Sequence, residues 1–155
     1  MKYEEAVKAD LKAGELAYKR AFKKTLKWFQ SNAIKAATKE LGVKRSALKG
    51  RWFANVSENS LWVGLNPLPV HRSGKPRQNK RGVKAGGQQY DGAFVMNEKL
   101  VMIRTSKARL PIEVVTKEIS DDVKTAIHRV RPLAVARFRE LYKQELNYAR
   151  KHEKR

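Results

Sequence analysis

Apolar residues recur every third or fourth position from Tyr3 to Leu41. Val7, Leu11, Ala17, Ala21, Phe22, Trp28, Phe29, Ala33, Ala36 and Ala37 fall near one face, and Lys and Arg occupy the other. With no Pro in the span, this spacing predicts an amphipathic helix, about 60 Å long if unbroken. Gly14 is the point where it is expected to bend or divide, and Gly42 reads as its stop. The many alanines suit close packing on another helix, in this chain or in a neighbouring copy.

The period then changes. Ser46-Ala-Leu-Lys-Gly50 is expected to form a short helical turn. Arg51–Val56 and Ser60–Leu65 are rich in Trp, Phe and Val and flank Ser57-Glu-Asn59, which predicts a β-hairpin. Asn66-Pro-Leu-Pro69 ends it, because proline cannot donate to a ladder. Gly92–Met96, Leu100–Arg104 and Ile112–Val115 are further expected strands, with a turn at Asn97-Glu98. Ser120 is the expected N-cap of a last helix, and Asp121 and Asp122 sit in its first turn, where carboxylates suit the helix dipole. Val123, Ile127, Val130, Val135, Phe138, Leu141, Leu146 and Tyr148 carry the helical period onward, and Pro132 is expected to kink or interrupt it. Arg150–Arg155 is basic and expected to fray.

The fold class that follows is α+β in one domain over 1–155. It comprises a helical arm (1–41), an antiparallel sheet of four to five strands with a long basic loop (51–116, loop 71–89), and a C-terminal helix (120–150). The sheet is expected to use one face for the helices.

Charge complicates this ordinary pattern. Among 155 residues there are 35 Lys+Arg against 15 Asp+Glu, a formal net charge of +20, with 41% hydrophobic residues. The hydrophobic fraction is that of a folding chain, but the excess works against compaction, so a polyanionic partner or a charge-spreading assembly is expected. Nucleic acid, an acidic protein ring and an anionic membrane surface all satisfy it. Cysteine is absent, which removes disulfides, thiolate zinc sites and Cys nucleophiles. The start of the chain lacks the pattern of a signal peptide, and no apolar run approaches the roughly 20 residues of a membrane span. A soluble protein is expected.

The charge concentrates between His71 and Gln89, which hold Arg72, Lys75, Arg77, Lys80, Arg81 and Lys84 and no carboxylate. Deletion of 72–88 is expected to leave the fold intact, and one reading of the stretch is a solvated, flexible loop whose charge only aids solubility. The other is a polyanion contact. If all six cations met phosphates, log affinity would fall against log salt with a slope near about −5. No aromatic is interleaved for base stacking, so any nucleic-acid contact is backbone-directed and blind to sequence.

Reaction chemistry has little support. His71, His128 and His152 are expected in a loop, a helix and a tail, without converging ligands. Asp121 and Asp122 could hold a metal, although helix capping explains both. Asp122-Val-Lys124 and Asp10-Leu-Lys12 are fragments of a nuclease-like pattern, without the convergent carboxylates that a divalent cation needs. Gly82–Gly87 lacks the terminal Lys-Ser/Thr of a phosphate loop, and no nucleophile elbow is present. No catalytic, cofactor-binding or metal-ligating residue is assigned. Trp28, Trp52 and Trp62, with Phe29 and Phe53, read as core or subunit-interface residues.

One ordered set of segments adds to this. The Ala-rich helix leads to Leu41-Gly-Val-Lys-Arg-Ser-Ala-Leu-Lys-Gly-Arg51, then to Leu61-Trp-Val-Gly-Leu-Asn-Pro-Leu-Pro69 and a basic loop with Arg77-Gln78 and Gly82-Val83. Gly92-Ala-Phe-Val-Met96 and Arg109-Leu-Pro-Ile-Glu-Val-Val115 follow, then a C-terminal helix. In order and content the chain resembles the minor tail protein Z family of long-tailed bacteriophages, over nearly its whole length. The resemblance implies a structural virion protein, a tail completion protein at the head-proximal end. It implies a role in head–tail joining and in placing the genome end, with no catalytic residues. The implied partners are other tail and neck proteins (terminator, tube, connector), further copies in a homo-oligomer or ring, and genomic DNA, but no membrane. The implied location is the virion, after assembly in the host cytoplasm. Two rival expectations stand beside it: a sequence-nonspecific DNA-binding protein outside any virion, and a metal-dependent nuclease using Asp122.

Overall fold

The computed structural model describes residues 2–152. It is α+β: helix α1 (Lys2–Leu41), ten short strands, and helix α2 (Ser120–His152). The ten strands form four small antiparallel sheets, where the pattern had indicated one sheet of four to five. The chain divides into two compact units: residues 1–33, 53–62 and 127–155 form a helical unit, and 34–52 with 63–126 form a sheet unit.

In the helical unit the alanine spacing explains the packing. Ala13, Ala17, Ala21 and Ala33 are all buried and lie four or a multiple of four residues apart, so they form one ridge along α1. On the part of α2 that belongs to this unit, Val130, Leu141, Glu145 and Ala149 are buried. The two helices run antiparallel. Arg150 donates two hydrogen bonds to Asp10, at 2.9 and 3.0 Å, and farther along Phe22 meets Phe138 edge-on with centroids 6.5 Å apart. Lys24 pairs with the largely buried Glu145. Gly14 does not divide α1 and Pro132 does not interrupt α2; both helices are continuous. Packing along a whole helix outweighs the local preference of one residue.

The hairpin of β1 (Trp52–Asn55) and β2 (Ser60–Val63) turns where expected. Asn55 Oδ1 accepts the backbone N–H groups of Ser57 and Glu58, and Asn59 takes the left-handed conformation, φ 52°. Trp52 is buried at 6% exposure while Trp62 is 58% exposed, packed on Phe53 at 5.5 Å; Trp28 is half-buried.

The sheet unit has its own core of Val70, Val83, Ala85, Ala93 and Val101, flanked by Tyr90, Val95 and Val115. Strand β3 (Leu68–Pro69) pairs with β10 (Thr116–Lys117). Strands β7 (Ala93–Met96), β8 (Leu100–Arg104) and β9 (Ile112–Val114) form a three-stranded sheet, turned at Asn97-Glu98 as expected, with both residues at positive φ. Lys117 Nζ donates to the Leu41 carbonyl at 3.0 Å, satisfying a free acceptor at the end of α1, where a cation also suits the dipole. At the start of α2 the free N–H groups of Ile119 and Ser120 are taken by Glu118 Oε1. Glu118 thus caps this end, two residues before the expected Ser120, which opens the helix itself.

The basic stretch departs most from expectation. It is not a loop: β4 (Arg77–Asn79), β5 (Gly82–Ala85) and β6 (Gln88–Asp91) form a three-stranded antiparallel ribbon. Two of its residues, Val83 and Ala85, belong to the core of the sheet unit, so removing 72–88 removes part of that core.

Candidate polyanion interface

The ribbon sorts its side chains by the period-two rule of strands. Val83 and Ala85 point to the core face, with Gln78 and Tyr90 opposite Val83 in the register. Lys84 therefore points outward, and its partners across the ladders are Arg77 on one side and Gln89 on the other. All three are exposed. Cβ atoms of directly opposed residues lie about 4.5–5.5 Å apart, and like charges there are destabilising. The outer face thus holds two cations side by side at an energetic cost that an anion placed between them removes.

Side chains fix this face. Gln78 reaches from β4 to β7, where its Nε2 donates to the Ala93 carbonyl at 3.3 Å and its Oε1 accepts the Val95 N–H at 2.8 Å. Asn79 Nδ2 donates to Gln89 Oε1 at 2.8 Å across the outer face, and Asn79 Oδ1 accepts the N–H groups of Arg81 and Gly82, both at 3.0 Å, closing the β4–β5 turn.

The six nominated cations do not form one cluster. Arg77 and Lys84 are paired by the ladder. Lys80 and Arg81 sit in the β4–β5 turn, and Arg81 is neutralised by Asp91 at 2.6 Å. Arg72 and Lys75 flank Ser73-Gly74, which passes against Gly86 in the β5–β6 turn: a Cβ on Gly74 would lie 3.1 Å from the Gly86 nitrogen. Arg72 ends a short 3-10 turn (Val70–Arg72) and donates to the Lys49 carbonyl at 3.3 Å.

Arg72 also reveals a second cationic group that the sequence did not single out. The Arg51 guanidinium donates to the carbonyls of Asn66 and, at 3.2 Å, Pro67. Burial first, and the charge of Arg72 second, hold it below its ordinary pKa. The same two causes, in the same order, lower His71, whose buried Nδ1 has no hydrogen-bond partner among the described residues. Arg51, His71 and Arg72 thus share one electropositive neighbourhood. Its signal in the sequence was long-range only, since residues 51 and 72 are brought together by the segment between them.

Among the described residues no three His, Asp or Glu side chains converge to hold a metal ion. Asp121 meets Lys124 one helical turn on, at 3.9 Å. No helix among them is long and apolar enough to cross a membrane. No family model, curated protein or solved structure matches the chain.

Proposed function

We propose that this chain is a structural assembly protein that meets a polyanion through the outer face of the β4–β6 ribbon. We further propose that its role is the one its resemblance implies: a minor tail, or tail completion, protein at the head-proximal end of a phage tail. The observation that carries the polyanion reading is the opposed Arg77–Lys84 pair, held on an ordered sheet whose other face is core. A fold that only needed solubility gains nothing from placing two cations directly across a ladder. A surface that receives phosphates or carboxylates gains two neighbouring cations on one face.

A neck or tail-end ring is a setting in which DNA passes a protein wall, and contacts there have to tolerate every sequence. The ribbon suits that requirement, because its aromatic, Tyr90, packs on the core and its outer face offers backbone-directed charge without a stacking ring. In this reading the chain carries out no reaction.

The test uses the intact chain and the Arg77→Ala/Lys84→Ala double variant. Both should fold, because the two side chains are exposed. Binding to a random-sequence duplex at low salt should fall roughly 10-fold or more in the variant, and particles assembled with it should be deficient in head–tail joining. Unchanged duplex binding removes the polyanion reading. Loss of duplex binding with normal particles, and no chain recovered in them, leaves a DNA-binding protein outside the virion.

A further inference from the structure

The helical unit carries an apolar surface that the ribbon reading does not use. Two grooves open on one side of the α1–α2 pair, of about 590 and 320 Å³, and Tyr18 lines both. Together they form one trough. Val7, Leu11 and Tyr18 continue into Phe22 on α1, with Val135 and Phe138 facing them on α2. Four of these are substantially open: Val7 43%, Leu11 66%, Tyr18 44% and Val135 46% exposed. Buried Thr25, whose hydroxyl has no partner among the described residues, lies in the same lining. From Val7 to Phe29 the trough is about 33 Å long, the length of a helix of about 22 residues.

Its borders are cationic. Lys12, Lys19 and Lys23 each follow a trough residue by one position, which sets them about 100° farther round α1, away from α2. Arg139 and Lys143 follow Phe138 and Tyr142 in the same way on α2. All five are exposed, and Lys19 and Arg150 line the trough directly. Glu15 is the one acid in the lining besides Asp10, and Asp10 is paired with Arg150.

We infer that this trough is the docking site of an amphipathic helix from an acidic partner protein, which seats an apolar stripe between the two helices and places carboxylates against both lysine- and arginine-bearing borders. An apolar floor with charged edges is the pattern of helix-in-groove recognition, and charge complementarity selects the partner's sign. A second copy seated by two-fold symmetry would bring two cationic borders together, and free duplex DNA has no apolar stripe to offer. The inference does not depend on the ribbon's role.

The probe is a fluorescent peptide of about 22 residues, with Leu at helical a/d/e spacing and Glu elsewhere, titrated into the full chain. A scrambled peptide of the same composition and a Lys-for-Glu version serve as controls. The patterned peptide should bind at least 10-fold tighter than either control and gain helicity on binding. Leu11→Glu and Val135→Asp, both at open positions, should each weaken it at least 10-fold while leaving duplex binding unchanged. Several outcomes overturn the inference: equal binding of the scrambled peptide, which is charge attraction alone; no peptide binding; self-association of the chain that Leu11→Glu abolishes; or binding to anionic vesicles, but not the peptide, that the same variants abolish.

Discussion

Gly82 has no side chain at a point where the ribbon leaves no room for one. Its φ is +152°, and a Cβ there would lie 2.1 Å from the Tyr90 carbonyl oxygen and 2.9 Å from the Gly92 nitrogen. Both are backbone atoms, so neither can swing aside. Gly82→Ala should therefore destabilise the sheet unit by about 1–3 kcal/mol, read as a lower urea midpoint and as early hydrogen exchange across Gly82–Asp91. His71 makes a second residue-scale case. Burial and then Arg72 hold its pKa below 6.5 in the fold, so the unfolded chain takes up the proton more readily. Its contribution to stability is complete above about pH 6.5, the unfolded value, and is lost as pH falls from there through the lowered folded value. His71→Gln should flatten the stability profile over that acidic range while altering it little at pH 8, as thermal melts across pH would show.

The elements differ in how far their own residues declare them. Helix α1, the β1–β2 hairpin, the β7–β8 turn and helix α2 were all legible, because periodicity and turn residues are local signals. The ribbon was hidden by its composition. Six cations and scattered glycines read as loop, yet Val83 and Ala85 alternate with Gly82 and Lys84 at the strand period, and Gly86-Gly87 is a hairpin-type turn. What secures the ribbon is distant in sequence: Gln78 bonding to Ala93 and Val95, and a core shared with Val70 and Val101. The α1–α2 pairing is the converse, a long-range contact through Asp10–Arg150 and Phe22–Phe138 between two helices that were each legible on their own. Ala17 has 0% exposure and stands in the row of buried alanines of α1. Ala17→Leu should cost about 1–3 kcal/mol through overpacking, whereas the same change at exposed Ala9 should be close to neutral; paired denaturant melts decide this.

Across the whole molecule the excess charge is not confined to the ribbon. The sheet unit has 18 basic and 7 acidic residues, the helical unit 17 and 8, giving +11 and +9. Total charge therefore says little about which surface meets an anion, and geometry has to separate the surfaces. The salt dependence of duplex binding reports how many cations sit on phosphate, at about 0.9 per contact in the log–log slope. Arg77→Ala/Lys84→Ala should make that slope shallower by about 2. Lys19→Ala/Lys23→Ala removes the same charge from the border of the apolar trough and should leave the slope nearly unchanged. Asp91→Asn should act in the opposite direction: it releases Arg81 from its 2.6 Å pair and, if phosphate takes that place, steepens the slope by about 1. Equal changes for the ribbon pair and the helix pair would mean that duplex responds only to net charge. The outer face of the ribbon would then be no more an interface than any other part of a molecule at +20.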